Sequence, residues 1–262
     1  MGKVSLDAYK LKWIAIIGML LNHIFYAFYE IMPLWLFFPL MIAGGLTFPI
    51  MGYLVAEGYK YTDNLKKYIL RILIFGMIAI PFHILVFQVF MPNIMFTIAL
   101  SIIVLLLNDK IKKRLIFWLL FALILLVSAV LSFDWGIIGI VVVLLYHRIR
   151  NENKRRIVPP LVAAAFIAFS SVMALISLKG MGPNAMMELY GGAAYIGDSN
   201  YWIANATFSI GCIAAGLLLL RYNGQRGKRM KWLFYVFYPL HLAILGIIAL
   251  LLGYVNMSIF RI

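Results

Sequence analysis

Two histidines lie inside otherwise apolar segments of this chain, and each has a tyrosine at helical spacing. His23 follows Asn22 and is three residues before Tyr26, whereas His241 is three residues after Tyr238. Residues three apart share one face of a helix. An ionisable side chain inside a bilayer is costly and therefore points to function, and imidazole changes its charge near neutral pH. The pattern predicts that either histidine is a general base that deprotonates a nucleophile.

Other polar side chains in the apolar segments are candidates to orient this base or to donate to an oxyanion. Asn93 and Thr97 are four residues apart and share a predicted helix face, and Asp134 begins a further apolar segment. Amide and hydroxyl groups can stabilise a developing oxyanion. The same residue types also hold membrane helices together. Catalytic and packing roles are therefore both open for Asn22, Tyr238, Asn93 and Thr97.

The elements that must position these residues are membrane helices. The chain has 262 residues, of which 65% are hydrophobic and only 12% charged, and its mean hydropathy is +1.00. Its apolar runs are continuous, which favours helices over the alternating strands of a membrane β-barrel. We predict an all-α, polytopic membrane bundle that forms a single domain. Its nine apolar segments are 11–28, 33–58, 66–88, 93–107, 114–132, 135–147, 157–178, 201–220 and 232–252.

The basic residues predict the orientation of the chain. All but Lys179 and Arg261 of the 23 lysine and arginine residues fall at the N-terminus or in alternate loops. Because loops rich in these residues stay in the cytoplasm, we predict a multi-pass protein of the cytoplasmic membrane with its N-terminus inside and its C-terminus outside. The net charge of +14 is then explained by topology, and no nucleic-acid partner is expected.

Uneven segment lengths predict irregular packing. Segment 33–58 would be about 39 Å long as one helix, which exceeds a bilayer core of about 30 Å, so we expect a broken or tilted element. Segments 93–107 and 135–147 would reach only about 20–22 Å. They leave space for a cavity, which we expect to open to the exterior. The glycine-rich external connection 179–200 is the expected lid or acceptor-binding loop.

The sequence contains no metal-binding motif and no pair of cysteines. Cys212 is the single cysteine and lies in an apolar segment, so no disulfide can form within the chain and no metal site is predicted. Glu57 and Arg71 flank one cytoplasmic turn, which favours a simple ion pair. Replacement of His83, or of His147 at a basic helix end, is expected to have a much milder effect than replacement of His23 or His241.

Short motifs in a fixed order resemble those of the TraX family, the integral membrane proteins named after the F-pilin acetyltransferase. They occur at 11–15, 19–24, 48–50, 57–62 with Asn64, Lys67, Tyr68 and Arg71, then at 93–97, 134–136, 222–224 and 234–241. Each motif is modest alone, and their common order along most of the chain makes the resemblance specific.

The resemblance implies acyl transfer from cytosolic acetyl-CoA to an external or membrane-borne amine or hydroxyl, typically the amino terminus of a membrane-inserted pilin. The family's first-span motif reads Asp-His-x-Gly, whereas this chain has Asn22 before His23. Asparagine can orient an imidazole but lacks the charge that stabilises imidazolium. Three alternatives are open: Asp134 supplies the acid, another acid does, or the histidine works alone. Anionic phosphates of the donor suit basic cytoplasmic residues, for which the candidates are Arg71, Lys67, Arg226 and Lys228.

Two other classes of function stay open at this stage. In a proton-coupled transporter or flippase, His23, His241 and Asp134 would be relay groups. In a membrane scaffold, the same residues would only pack. Turnover of a thioester separates these classes, because neither a transporter nor a scaffold would release free coenzyme A.

Overall fold

The computed structural model describes residues 5–190, 193–229 and 231–255, and the described part contains eleven α-helices and no β-strand. Two short 3₁₀ turns, Tyr29–Ile31 and Ala194–Gly197, lie between helices. The helices are α1 Ala8–Ala27, α2 Leu34–Gly45, α3 Thr47–Tyr61, α4 Leu65–Phe87, α5 Ile94–Lys110, α6 Arg114–Val130, α7 Gly136–Arg148, α8 Glu152–Met181, α9 Pro183–Tyr190, α10 Ser199–Leu220 and α11 Lys231–Leu251.

Each predicted apolar segment is helical, and the all-α membrane class is confirmed. Five helical stretches are long and apolar enough to cross a bilayer: Leu34–Tyr61, which comprises α2 and α3, and the helices α4, α8, α10 and α11. Helices α6 and α7 are shorter and also apolar. Arg261, Gly191 and Gly192, on which part of the sequence interpretation rested, lie outside the described residues, and so does the Lys231 side chain.

The segment predicted to be broken is indeed two helices. Helix α2 ends at Gly45 and α3 begins at Thr47, so that Leu46 separates them. Pro49 lies in the first turn of α3, where its missing N–H breaks no helical hydrogen bond. The predicted break therefore falls where the proline sequence permits a new helix to start.

Glycines bring α1, α2 and α10 into backbone contact. A Cβ atom on Gly45 would lie 2.1 Å from the Phe208 carbonyl oxygen, and one on Gly211 would lie 2.0 Å from the Ile42 carbonyl oxygen. A Cβ atom on Gly18 would likewise lie 2.4 Å from the Ala43 carbonyl oxygen. Small residues allow this approach, which drives helix association in membranes. The packing fixes the face of α1 that carries Asn22 and His23.

The start of α1 is tied to the loop between α10 and α11. The Leu6 and Ala8 backbone N–H groups donate to the carbonyls of Arg221 and Gln225, each at 2.9 Å, and the Asn223 N–H donates to the Leu6 carbonyl at 2.9 Å. This pairing forms an isolated bridge between Leu6 and Tyr222. The first span and the loop before the last span are thus joined at the end of the bundle that carries the basic loops, which we call the basic end.

The predicted ion pair between Glu57 and Arg71 is wrong, because Glu57 has other partners. Its carboxylate accepts from Arg155 of α8 at 2.6 Å and lies 3.3 Å from the Lys60 ammonium. Arg155 is only 2% exposed and also donates to the Tyr146 carbonyl. The N-terminal turn of α8 places this arginine beside α3, which leaves Arg71 without that carboxylate.

Candidate functional site

A cavity of about 860 Å³ runs through the bundle from the basic end towards the predicted external end. Among its described lining residues, the exposed ones are Tyr61, Gly224 and Arg226, and all three belong to the basic end. We call this opening the mouth. The deep end is lined by His23 and Asp134. The cavity therefore opens on the side opposite to the one predicted from the short segments.

Aromatic side chains close the other end, and we call Tyr26, Phe87, Tyr195 and Tyr201 the aromatic closure. The hydroxyls of Tyr26 and Tyr201 lie 3.3 Å apart, and the Tyr195 hydroxyl donates to the Phe87 carbonyl at 2.8 Å. Tyr26 and Phe87 both line the cavity. Their packing explains why the space left by the short helices does not reach the predicted exterior.

The two intramembrane histidines meet at the deep end. His23 Nδ1 lies 2.5 Å from His241 Nε2, and the ring planes are within 6° of each other. His241 Nδ1 lies 2.6 Å from the Phe237 carbonyl oxygen, one turn earlier in α11. The Phe237 ring stacks on the His241 ring at a centroid distance of 4.6 Å. The first and last spans therefore build one histidine pair, and its His23 member lines the cavity.

Asn22 lines the same cavity but does not orient a histidine. Its amide nitrogen lies 3.5 Å from Met41 Sδ, and its side chain packs on Gly44. Among the described residues, no hydrogen bond joins this amide to His23 or His241. The Asn22 amide is instead available to a molecule in the cavity.

Tyr238 is a second polar group at the deep end. Its side chain is buried and lines the cavity beside His23, with ring centroids 6.4 Å apart. The hydroxyl makes no full hydrogen bond within the described part of the chain, although the Ile94 backbone N–H lies near it. A buried hydroxyl without a full partner is costly, and this oxygen is enclosed by protein atoms although the ring lines the cavity.

Asp134 reaches the cavity from the loop between α6 and α7. Its backbone is held on both sides, because its N–H donates to the Pro92 carbonyl at 2.9 Å and its carbonyl accepts from Thr97 Oγ1 at 2.5 Å. Burial raises the pKa of the Asp134 carboxyl to about 7, against a smaller lowering by the Trp135 backbone N–H. Among the described residues, no hydrogen bond joins this carboxyl to either histidine, so it does not take the place of the family's aspartate beside His23.

Asn93 and Thr97 serve packing in this structure. The Asn93 amide donates to the Gly76 carbonyl at 2.8 Å, and its oxygen accepts from the Met95 N–H at 3.1 Å, which caps α5. Neither Asn93 nor Thr97 lines the cavity. The hydrogen bonds of both side chains join helices and loops, which favours the packing alternative for this polar stripe.

Three cations line the cavity near its mouth. The Lys12 ammonium lies 5.3 Å from the centre of the Phe234 ring, and the Arg71 guanidinium lies 5.8 Å from the centre of the Tyr235 ring. Arg226 is the exposed third member. Of the four predicted phosphate-binding residues, Arg71 and Arg226 are thus in the cavity wall, whereas Lys67 and Lys228 are outside it.

Sequence reasoning missed Lys12, because its charge was already explained by topology. The available signal was its position inside the first apolar segment, one residue after that segment begins. A lysine there has to direct its ammonium group either to the headgroups or into a polar cavity.

The remaining histidines lie outside the cavity. His83 is fully buried and stacks on Phe87 at 4.4 Å, and neither of its ring nitrogens has a hydrogen-bond partner in the described part of the chain. His147 Nε2 lies 2.7 Å from an Asp109 carboxylate oxygen at the basic end. No group of three or more metal-binding side chains occurs among the described residues.

Comparison with known proteins gives one family and one relative. A family model described as "TraX protein" matches residues 7–249. A "Probable fimbrial assembly protein FimC, serogroup H1" from Dichelobacter nodosus is 28% identical, and the match covers 92% of this chain and 95% of that protein. No solved structure matches.

Proposed function

Because the chain belongs to the TraX family, we propose that it is a membrane-embedded acyltransferase that moves an acetyl group from cytosolic acetyl-CoA to an external or membrane-borne acceptor. The observation that carries the proposal is the cavity, which joins a basic mouth to His23. An anionic donor would enter from the side that carries the positive charge. The acetyl group would then meet the acceptor beyond the middle of the membrane.

The shape and lining of the cavity suit such a donor. Its volume of about 860 Å³ is within the range of roughly 300–1,000 Å³ that is usual for ligand sites. Lys12, Arg71 and Arg226 would bind the phosphates near the mouth. The mainly apolar wall would hold the uncharged thioester arm, and the thioester carbonyl would reach His23 at the deep end.

The chemistry assigned to the site is a direct transfer. His23 accepts the proton of the acceptor N–H or O–H group while the nitrogen or oxygen attacks the thioester carbonyl carbon. The carbon–sulfur bond then breaks, and the coenzyme A thiolate takes the proton back from His23. The Asn22 amide, which lines the cavity, would donate to the oxyanion that forms on the carbonyl oxygen. The products are the acetylated acceptor and free coenzyme A.

The acceptor class rests on the relatives. The Dichelobacter nodosus relative is named a probable fimbrial assembly protein, which supports a pilin-like acceptor here. Peptide, lipid and glycan acceptors are consistent with the same chemistry. Mass spectrometry of envelope peptides, glycans and lipids from cells with and without the protein would identify the acetylated species.

Transfer itself is tested with acetyl-CoA that carries a radiolabelled acetyl group. Inside-out membrane vesicles from cells that lack the protein, and from cells that express it, would be incubated with this donor. We expect label in envelope material and stoichiometric free coenzyme A only when the protein is present. His23→Ala should lower the rate by roughly 10²–10⁴-fold, whereas His83→Ala, outside the cavity, should have little effect.

The thermal stability of the purified protein separates a donor-binding defect from a chemical one. Acetyl-CoA should raise the unfolding temperature of the wild type and of His23→Ala alike, because a ligand that binds the folded state stabilises it. Binding without any release of coenzyme A in the presence of envelope acceptors would contradict the transferase. A proton gradient that drives movement of a solute, again without release of coenzyme A, would favour a transporter in which the two histidines form a relay.

A further inference from the structure

We propose that His23 acts through its Nε2 atom and that His241 is a positioning residue, which fixes the tautomer of His23 and shares the charge when His23 takes a proton. This inference rests on the proposed function and names the part of the histidine pair that faces the acceptor. It also assigns to a neutral imidazole the place that a carboxylate holds beside the histidine of a catalytic triad.

The direction of the hydrogen bonds follows from one group that can only accept. The Phe237 carbonyl oxygen lies 2.6 Å from His241 Nδ1, so this nitrogen must carry a hydrogen and donate it. In a neutral imidazole the other nitrogen then has a free lone pair. His241 Nε2 is therefore an acceptor, and His23 Nδ1, at 2.5 Å, must donate to it. By the same rule, His23 Nε2 has the lone pair.

This last nitrogen is the one that a substrate can reach. His23 lines the cavity and His241 does not. Both ring nitrogens of His241 are engaged in hydrogen bonds. His23 Nε2 has no hydrogen-bond partner among the described residues, and it is not enclosed by protein atoms. It is accordingly accessible from the cavity, and it is the only free basic nitrogen of the pair.

His241 is the neighbour that stabilises His23 when His23 is protonated. The neighbours of the pair are His83 and Phe87 of α4 and Phe237 and Tyr238 of α11, and Asp134 lines the same cavity. Within the described residues, none of these groups hydrogen-bonds to the ring of His23. After Nε2 takes the proton, the Nδ1–H bond to His241 becomes charge-assisted, and such hydrogen bonds are stronger than those between neutral groups. Asn22 in the place of the family's aspartate is then compatible with a working base.

The pair of variants His23→Gln and His241→Gln tests the division of roles. Glutamine keeps an acceptor oxygen where His241 Nε2 lies but supplies no base. We expect His241→Gln to keep the rate within about tenfold of wild type and His23→Gln to lose roughly 10²–10⁴-fold. His241→Ala, without an acceptor, should be slower than His241→Gln, through kcat and with an unchanged KM for acetyl-CoA. The opposite order, with His241→Gln slower than His23→Gln, would overturn the assignment.

A chemical readout tests the geometry without any transfer activity. Diethyl pyrocarbonate reacts with imidazole nitrogens that are accessible to it and have a free lone pair, whereas His83 is fully buried. We expect peptide mass spectrometry of the folded protein to find early modification at His23 and little at His241 or His83. Coenzyme A should slow the modification at His23. Early modification of His241 would refute the inferred orientation, whereas an absence of transfer by the wild type would refute the proposed function and leave this measurement valid.

Discussion

At the scale of single residues, basic side chains with the same formal charge differ in whether they line the cavity. Lys12 and Arg71 lie against aromatic rings in the wall, and Arg226 lies at the mouth. Lys67, on α4 with Arg71, and Lys228, in the same loop as Arg226, do not line the cavity. A cation in a partly dehydrated wall makes stronger contacts with phosphate than one in bulk water. Affinity for the donor should therefore depend on position and not on the total charge.

Neutral variants of these cations test that dependence. Arg71→Gln and Arg226→Gln should each weaken binding of acetyl-CoA by about tenfold or more, because a hydrogen bond to a charged group contributes roughly 1.5–3 kcal/mol. Lys12→Gln should behave similarly. Lys67→Gln and Lys228→Gln, which remove the same charge outside the wall, are the matched controls and should change binding little. The measurement is the shift in unfolding temperature across a titration of acetyl-CoA, and equal losses in both groups would indicate general electrostatics.

The residue types indicated His23 and His241 as candidates but did not separate the roles of the two asparagines. Asn22 and Asn93 are both amides within or beside apolar helices, and nothing in their spacing separates them. The difference lies in contacts between distant segments, since the Asn93 amide donates to the Gly76 carbonyl whereas Asn22 faces the cavity. His23 and His241 were predictable because ionisable groups are rare in a bilayer. That they touch depends on the packing of α1 against α11.

At the scale of helices, the position of α1 depends on backbone contacts that are too close for any residue larger than glycine. Gly45 and Gly211 place α2 and α10 in backbone contact, and Gly18 places α1 against α2. The proline and glycine content of segment 33–58 predicted a break. This content could not predict which helix would contact the backbone at Gly45, because that depends on how α10 packs against α2. The short α5 and α7 predicted free space, and the aromatic closure decided the side on which this space opens.

Alanine at these glycines tests the packing. Gly45→Ala and Gly211→Ala each bring a methyl group to about 2 Å from a carbonyl oxygen, so the helices must separate. We expect a loss of about 1–3 kcal/mol in the free energy of unfolding, as is usual for overpacking. Gly180→Ala is the matched control, since nothing lies within 4 Å of its Cβ position. Thermal unfolding in detergent measures the effect, and a Gly45→Ala protein as stable as Gly180→Ala would contradict the packing.

At the scale of the whole molecule, the basic loops and the mouth of the cavity lie at the same end of the bundle. The basic loops predict the cytoplasmic side, and the described exposed residues of the cavity lining lie at that same end. The alternation of basic and non-basic loops can be recognised from short stretches of sequence, which is why the order of the helices and their alternating direction were predictable. The depth of the cavity depends on side chains from most of the bundle and has no local signature.

Single cysteines in a Cys212→Ala background test direction and cavity together. Asn223→Cys lies in an exposed loop at the basic end, and Lys179→Cys is exposed at the other end. An impermeant maleimide should label Lys179→Cys in intact cells and Asn223→Cys only in inside-out vesicles. Asn22→Cys lies towards the predicted exterior along α1, yet it should also react from the cytoplasmic side, because the cavity is its route to water.

Each cysteine tests a different property of the protein. Labelling of Asn223→Cys but not of Lys179→Cys in intact cells would reverse the orientation, and the anionic donor would then face the wrong compartment. Labelling of Asn22→Cys from the outside alone would show that the aromatic closure is open and that the mouth is not the main entrance. With both results as expected, coenzyme A should slow the reaction at Asn22→Cys and leave the rate at Asn223→Cys nearly unchanged, since the donor would fill the cavity and not cover the exposed loop.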